Sequence, residues 1–263
     1  MRGEVDDMGT HLESARGGVV YGPLCSRRLG RSLGVDLTPR SRQTCNFDCV
    51  YCPAPRCAGP GGWPSPGDVA TALANVLPRV GPLDSITLSG RGEPTLHPRF
   101  GAVVASVVSE ARRAGVPVRI LTNGSRAVDP VVRRALDLLD ERIVKLDAAP
   151  ERVERPAASA PLGAILHAWT LLRDFALQSC FVEGAVSNVD EESVSRWLEL
   201  VAELHPLSVQ IYTIDRPARV HGVQAVAPDR LREIAARVAA QAGVPAQAAP
   251  PQSDGSSAAS SAE

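Results

Sequence analysis

Four of the six cysteines in this 263-residue chain lie within thirteen positions, at Cys45, Cys49, Cys52 and Cys57. In a reducing compartment such clustering favours a metal site over a disulfide framework. The first three cysteines form a C-x3-C-x2-C loop directly after the first predicted strand. A [4Fe-4S] cluster held by three cysteines keeps one iron open to a small molecule, which indicates chemistry rather than storage. Tyr51, just before the last cysteine of the loop, would shield such a cluster and place a backbone group beside whatever the open iron binds.

The charge balance excludes a chain that binds a polyanion through its net charge. Lys and Arg total 28 and Asp and Glu total 29, for a formal net charge of −1, so nucleic acid would need a local basic patch. No run of about 18 apolar residues is present, and the first residues are acidic rather than a basic start to an apolar segment. We therefore predict a cytoplasmic protein with no membrane partner.

Short apolar runs alternate with stretches of helical spacing, which predicts a chain of βα units. Both ends are poor in large apolar residues, so we expect a flexible segment over 1–18, a core domain over 19–245 and a disordered tail over 246–263. The predicted strands are 33–37, 85–89, 118–122, 143–147, 180–186 and 208–214. The clearest predicted helices are 100–114, 130–139, 162–175, 191–204 and 228–241.

Alternation along the predicted strands separates an apolar face from a polar one. In 143–147, Val144 and Leu146 fall on one side, and Lys145 and Asp147 fall on the other. A doubly wound sheet buries both faces under helices and gives continuous apolar runs. Half-polar strands favour instead a sheet that lines a ligand-holding concavity, although the pattern alone does not separate an open sheet from a full or partial barrel.

Several motifs together resemble a known family. The C-x3-C-x-aromatic-C loop after the first strand is similar to the signature of the radical S-adenosylmethionine (SAM) superfamily. The similarity continues through residues 21–34, SGRGEPTL at 89–96, LTNGS at 121–125, VKLDA at 144–148 and QIYTIDRP at 210–217. Over about residues 20–245 the chain resembles a branch of iron–sulfur oxidoreductases that is similar to the wyosine-base tRNA synthases.

This resemblance implies an α/β fold, namely a partial (βα)6 TIM-like barrel. It also implies two cofactors. A [4Fe-4S] cluster is expected on Cys45, Cys49 and Cys52, with SAM on its open iron. Reductive cleavage of SAM to a 5′-deoxyadenosyl radical for hydrogen abstraction is the implied activity, without an assigned catalytic side chain. The superfamily carries Gly-Gly-Glu-Pro where SAM's amino group binds, so Gly92 and Glu93 are expected contacts. Arg91 stands where that motif has its first glycine. The SAM contact of that glycine is therefore not assigned to a residue of this chain.

Three further candidates for SAM binding, each with a structural alternative, follow the predicted strands. Asn123 offers a donor and an acceptor to a ribose or carboxylate, but Asn-Gly is also a common turn dipeptide. Lys145 and Asp147 face the expected interior, where they would contact SAM or substrate or pair with each other. Lys145 is the one lysine of the chain. A further hypothesis is that it forms a Schiff base, as wyosine synthases do with pyruvate.

Weaker signals lie elsewhere in the sequence. An arginine cluster before the first strand could contact phosphate or RNA, or form an ordinary solvated face. Cys25 and Cys180 are predicted to be small buried hydrophobes. The arginine cluster consists of Arg27, Arg28 and Arg31. Weak candidates for adenine contacts are Gln210, Tyr212, Asp215 and Arg216, and for ribose contacts Glu183, Ser187 and Asn188.

Three functions remain open at this level. The first is a radical SAM enzyme acting on a small molecule or a tRNA base, with an external electron donor such as flavodoxin or ferredoxin. The second is an activase that introduces a glycyl radical into a partner enzyme. The third is a binding or electron-transfer module whose iron–sulfur cluster or structural zinc also takes Cys57 as a ligand.

Overall fold

The computed structural model describes residues 18–26, 28–39, 44–53, 62–154 and 162–249. Its strands are β1 Val20–Ser26, β2 Gly30–Val35, β3 Ser85–Leu88, β4 Val118–Thr122, β5 Glu141–Lys145, β6 Phe175–Cys180, β7 Val182–Gly184, β8 Ser208–Tyr212, β9 Val223–Ala225 and β10 Ala246–Ala249. Its α-helices are α1 Pro66–Val76, α2 Phe100–Ala114, α3 Pro130–Leu136, α4 Pro150–Val153, α5 Leu162–Thr170, α6 Glu191–Leu204 and α7 Pro228–Arg237.

Eight strands form one sheet in the order β1-β2-β3-β4-β5-β6-β8-β10. β1 is antiparallel to β2, and every other neighbouring pair in this sheet is parallel. The sheet curls into a half-barrel. The predicted α/β class and partial (βα)6 TIM-like barrel are therefore confirmed, with β2, β3, β4, β5, β6 and β8 as the six barrel strands.

The predicted division of each strand into two faces is also confirmed. Val144 and Leu146 are fully buried in the main core, which the sheet forms with the helices. Lys145 and Asp147 lie on the opposite face, together with other polar side chains of the barrel interior. These interior side chains include Ser32, Thr87, Gln178, Gln210 and Tyr212, linked in part by hydrogen bonds.

The turn between β1 and β2 closes the amino end of this interior. Leu29 is buried there against Ile143 and Ala176 of the central strands. Its carbonyl oxygen accepts a hydrogen bond from Nη1 of Arg119 at 2.9 Å. The turn itself is fixed because the Ser26 hydroxyl accepts from the Leu29 backbone N–H at 3.2 Å.

α6 shows how local chemistry fixes a helix on the outside of the barrel. Its N-cap residue Asp190 accepts a hydrogen bond from the Ser193 backbone N–H at 3.0 Å, and Arg152 lies 3.1 Å from the other carboxylate oxygen. The helix ends at His205, whose φ of 47° is left-handed. α6 matches the prediction for 191–204, since cap and apolar period both mark its limits.

The prediction is wrong between residues 170 and 186. The helix expected over 162–175 ends at Thr170, and the sheet strand is β6, whereas a strand was expected over 180–186. Phe175 and Leu177 face the main core while Ala176 and Gln178 face the interior, and this run of apolar and small residues resembles a helix in sequence. Asp174, at a φ of 48°, turns the chain into β6. The short β7 pairs instead with β9.

Other element boundaries shift less. α3 ends at Leu136 rather than 139. α7 ends at Arg237, and a π-helical turn, Val238–Ala242, covers the end of the predicted helix 228–241 and one residue beyond it. The expectation of disorder from 246 onward is wrong for β10. Its backbone pairs with β8 and Ala249 is buried, and an edge strand needs few large side chains for this. The remaining residues of both predicted tails, 1–17 and 250–263, lie outside the described residues. No helix in the described ranges is long and apolar enough to cross a membrane.

Candidate functional site

The cysteine loop, residues 44–53, lies at the carboxyl end of the parallel strands. Phe47 and Val50 are buried and anchor it to the two sides of the barrel. On one side, the Glu93 backbone N–H after β3 donates to the Thr44 carbonyl oxygen at 3.0 Å. On the other side, the Val50 N–H donates to the Val153 carbonyl oxygen of α4 at 2.9 Å. Both ends of the loop are thus fixed by backbone hydrogen bonds.

The three thiols of this loop, Cys45, Cys49 and Cys52, are half-buried and unpaired. Burial, followed by the nearby Glu93 carboxylate, raises the pKa of Cys45 to about 12. Burial and then Glu154 also raise the pKa of Cys49 well above its usual value. A metal centre favours thiolates, so its binding here would release protons.

The donor set fits a cluster better than a single ion. Within the described ranges, no three His, Cys, Asp or Glu side chains converge on one metal-ion position. In an iron–sulfur cluster each cysteine binds a different iron, so the thiols need not converge on one point. Cys45, Cys49 and Cys52 would be the ligands, as the sequence predicts. Cys57 lies outside the described residues.

Arg219, which sequence analysis did not single out, holds the cysteine loop from the segment between β8 and β9. Its Nη2 donates to the Asp48 carboxylate and lies 3.4 Å from the Cys49 carbonyl oxygen. The next residue, Val220, donates its backbone N–H to the Val50 carbonyl oxygen at 3.3 Å. Nothing in the sequence distinguishes this arginine from the many others.

The turn after β3 packs its backbone directly against neighbouring groups. A Cβ atom at Gly92 would lie 1.9 Å from the Thr44 carbonyl oxygen, so only glycine fits there. A Cβ atom at Gly90, whose φ is 153°, would lie 2.3 Å from the Asp36 carboxylate. Arg91, which replaces a glycine of the family motif, forms an ion pair with Asp36 at 2.9 Å. The side chain of Arg91 therefore points toward β2.

Glu93 is buried and its carboxylate is already occupied by protein donors. One oxygen accepts from the Thr95 backbone N–H and hydroxyl at 3.1 and 2.6 Å and from the Thr122 hydroxyl at 2.5 Å. The other oxygen accepts from the Asn123 backbone N–H at 2.7 Å. Burial raises its pKa although these bonds lower it. Three of these bonds go to Oε1 and one to Oε2, so this geometry assigns Glu93 to joining the ends of β3 and β4, and Oε2 keeps capacity for a further donor.

Asn123 connects the end of β4 to the cysteine loop. Its Nδ2 donates to Oδ1 of Asn46 at 2.9 Å, and its own Oδ1 accepts from the Ser125 backbone N–H at 3.0 Å. Asn46 in turn donates to the Ser125 hydroxyl at 2.7 Å. The turn interpretation of Asn123 is therefore present in the structure, and its side chain fixes the residue next to Cys45.

A second group lies on the other side of the loop, around Asp147. The Tyr51 hydroxyl donates to one oxygen of this fully buried carboxylate. The other oxygen accepts from Nζ of Lys145 at 2.9 Å and from the Cys180 backbone N–H at 2.6 Å. Lys145 also donates to the Tyr212 hydroxyl at 2.9 Å. The structural pairing of Lys145 with Asp147, one of the two alternatives from the sequence, is thus present.

This environment keeps Lys145 charged. Burial lowers its pKa, but Asp147 and then Tyr212 outweigh that effect, so the pKa lies well above the usual value. An ammonium must lose its proton before it can attack a carbonyl carbon. The geometry therefore does not favour the Schiff-base hypothesis.

Glu154 is a buried acid that sequence analysis did not identify. One carboxyl oxygen accepts from the Asp147 backbone N–H at 2.7 Å, while its Oε2 has no hydrogen-bond partner among the described residues. Burial and then Asp147 raise its pKa well above the usual range. Its carbonyl oxygen accepts from the Asp48 N–H at 3.2 Å, so it also supports the cysteine loop.

The predicted site residues thus divide into two groups that flank the loop. Gly92, Glu93 and Asn123 lie on the β3–β4 side, and Tyr51, Lys145 and Asp147 lie on the β5–β8 side. Contact of any of these six with SAM stays a prediction. Cys180 is fully buried as expected, but the prediction is wrong for Cys25, which is exposed because the edge strand β1 turns it to solvent.

The weaker candidates separate clearly. Gln210 and Tyr212 face the interior, whereas Asp215 and Arg216 are exposed. Asn188 is buried. Its side chain forms hydrogen bonds with the backbone of Cys180 and Val182, so it has a structural role. Glu183 and Ser187 lie nearby on β7 and the turn that follows. Of the arginine cluster, Arg27 lies outside the described residues.

Comparison with sequence families places this geometry in context. Residues 42–201 match the model of the radical SAM superfamily. A UPF0026 protein of Synechocystis is 33% identical over 207 residues, 75% of this chain and 76% of that protein. A UPF0026 protein of Helicobacter pylori is 31% identical over 212 residues, 76% of this chain and 67% of that protein.

Solved structures share the fold at low sequence identity. TYW1 with a lysine-pyruvate adduct bound aligns with a TM-score of 0.59 and 16% identity over 80% of this chain and 73% of TYW1. Streptococcus suis SuiB bound to precursor peptide SuiA aligns with a TM-score of 0.58 and 11% identity over 81% of this chain. The aligned part covers 47% of SuiB. Native anSMEcpe with bound AdoMet aligns with a TM-score of 0.55 and 14% identity over 82% of this chain and 64% of that chain.

Proposed function

Because the chain belongs to the radical SAM superfamily, we propose that it binds a [4Fe-4S] cluster through Cys45, Cys49 and Cys52 and cleaves SAM reductively. The observation that carries this proposal is the cysteine loop at the carboxyl end of the barrel strands, fixed there by backbone bonds. The cofactors would supply the chemistry when bound: a 5′-deoxyadenosyl radical that abstracts a hydrogen atom from substrate.

The surrounding residues have distinct parts in this proposal. Arg219 and Asn46 hold the loop in shape, and Gly92 lets the turn after β3 approach Thr44 closely. The Glu93 carboxylate joins the ends of β3 and β4, and the backbone of the turn offers a further partner for the amino group of SAM. Glu93 acts as a positioning residue.

The substrate and the electron donor are separate proposals. A small molecule or a tRNA base is the substrate, and flavodoxin or ferredoxin is the donor. A gel shift with tRNA at low and high salt tests the tRNA branch, because phosphate contacts make binding salt-dependent. Absence of any shift at low salt would leave the small-molecule branch.

The decisive experiment needs no substrate. The protein is purified anaerobically, reconstituted with iron and sulfide, and mixed with SAM and dithionite, and 5′-deoxyadenosine is quantified. We expect product with the wild type and with Cys57→Ala, and none with Cys49→Ala.

The same variants separate this function from a closed metal module. If Cys57→Ala lost its iron and the wild type formed no 5′-deoxyadenosine, four cysteines would bind the metal and the enzymatic proposal would fail. Product formation by Cys49→Ala would equally contradict the assignment of this cysteine.

A further inference from the structure

Arg28 places a cation in the barrel interior, on the β8 side. Its guanidinium carbon lies 4.0 Å from the centroid of the Tyr212 ring. The Nη1 atom is buried and has no hydrogen-bond partner among the described residues. A desolvated guanidinium nitrogen without an acceptor costs free energy. This position therefore suits a hydrogen-bond acceptor that the protein does not itself provide.

Among the described residues, no carboxylate forms an ion pair with Arg28. The ring of Tyr212 lies between Arg28 and Lys145, whose Nζ is 4.7 Å from the same ring centroid. Two carboxyl groups lie on the far side of Lys145: Asp147, paired with it at 2.9 Å, and Glu154, which accepts from the Asp147 backbone N–H at 2.7 Å. Lys145 remains 18% exposed, so the interior is accessible beside it. A buried guanidinium nitrogen without a carboxylate partner makes this part of the interior suited to an anion.

The position of Arg28 separates it from three of the expected SAM contacts, whereas Lys145 and Tyr212 beside it are themselves candidates for SAM. It lies in the β1–β2 turn and reaches Tyr212 on the β8 side of the barrel. Gly92, Glu93 and Asn123 follow β3 and β4 on the other side. Lys145 also lies 4.9 Å from the ring centroid of Tyr51, beside Cys52. A molecule bound to Arg28 would therefore extend toward the cysteine loop.

We propose that Arg28, with Lys145 beside it, binds the carboxylate or phosphate group of a small-molecule substrate inside the barrel. That the ligand is a substrate rests on the function proposed above; that the site binds an anion does not. The planar guanidinium donates two parallel hydrogen bonds to either group, and Tyr212 supports its face. The single lysine of the chain supplies the second positive charge.

The test is calorimetric titration of the reconstituted holoprotein, without reductant, with inorganic phosphate and separately with pyruvate. We expect one of the two probes to bind the wild type at a single site, and this result decides between phosphate and carboxylate. Arg28→Met and Arg28→Gln should each weaken that binding at least about tenfold, because a charge-assisted pair is lost. Arg113→Met, on a 70% exposed side chain paired with Glu110, is the matched control and should bind like the wild type.

Four other outcomes would overturn the proposal. Equal weakening by Arg113→Met, unchanged binding by both Arg28 variants, or no binding of either probe by the wild type would place no anion at Arg28. Displacement of the probe by saturating SAM would assign the cation to the cofactor. Thermal unfolding of each variant checks that it is folded. If Arg28→Met does not fold, Arg28→Gln still tests the proposal. Failure of wild-type 5′-deoxyadenosine formation would remove the substrate identity and leave the anion site standing.

Discussion

The hydroxyl of Tyr51 donates a hydrogen bond to the fully buried carboxylate of Asp147, which couples the cysteine loop to the end of β5. The same carboxylate accepts from Lys145 and from the Cys180 backbone N–H. A change in this group should therefore affect both stability and the loop.

Lys145→Met should lower the free energy of unfolding by about 3 kcal/mol, because it leaves the buried Asp147 carboxylate without its cation. The double variant Lys145→Met/Asp147→Asn should recover part of this loss, since it removes the unmatched charge. Urea unfolding of both single variants, the double variant and the wild type measures the coupling. Additive losses would show that the two side chains do not stabilise each other.

Pyruvate and borohydride should leave the mass of the protein unchanged. The ammonium of Lys145 is held by Asp147 and the Tyr212 hydroxyl and its pKa is raised, so it is a poor nucleophile. Because Lys145 is the one lysine in the sequence, peptide mapping of any adduct is unambiguous. A reduced pyruvate adduct on the peptide that contains Lys145 would restore the Schiff-base hypothesis.

Glu93→Ala should cost about 2–5 kcal/mol of stability, because four donors, including the Asn123 N–H and the Thr122 hydroxyl, lose their acceptor in a buried position. Chemical unfolding gives the value. Glu233→Ala is the control, since its 55% exposed side chain pairs with Arg230 in the same helix, and this variant should cost at most about 0.5 kcal/mol. Similar losses in both variants would argue against a positioning role for Glu93.

Arg219→Gln should speed the release of iron from the reconstituted protein to a chelator about fivefold. The variant removes a half-exposed ion pair to Asp48 and a contact to the Cys49 carbonyl, worth about 1 kcal/mol together. Arg216→Gln, on an exposed side chain three residues earlier, is the control. Equal release rates in the two variants would show that Arg219 does not hold the loop.

Asp190→Ala should lower stability by about 1 kcal/mol at neutral pH, through loss of the N-cap of α6. Desolvation raises the pKa of Asp190, but hydrogen bonds from Ser193 and Arg152 outweigh it and the pKa is lowered. A lowered pKa stabilises the fold above the unfolded value, about 3.9, and this contribution is lost as the pH falls through the folded value.

The difference in the free energy of unfolding between the wild type and Asp190→Ala, measured with urea, should accordingly become smaller as the pH falls below about 5. Asp229→Ala, with a 93% exposed side chain, should change stability by less than about 0.5 kcal/mol throughout. A gap that stays constant with pH would assign the effect to helix propensity alone.

Local patterns predicted much of the fold and the location of the site. The alternation of Val144 and Leu146 with Lys145 and Asp147 needs only the period of a strand, and the structure retains it. The loop after each parallel strand lies at one end of the barrel, so the cysteine loop and the turn at Gly92 had to be neighbours.

Long-range and edge interactions were the part that local patterns could not predict. Arg219 bonds to Asp48 across 171 residues, and Glu154 supports the loop through its backbone carbonyl, which any residue type could do. Phe175 begins a strand inside a helix-like run of apolar residues. Ala249 is held by the hydrogen bonds of an edge strand rather than by its own side chain.

The ion pair between Arg219 and Asp48 also sets an order of events during synthesis. The three cysteines leave the ribosome long before the residue that holds their loop has been made, because the two partners are 171 positions apart. Contacts of such long sequence separation form late, after the intervening chain has folded. The loop thus reaches its final shape only when nearly the whole barrel is complete, and we expect cofactor insertion to follow translation rather than accompany it.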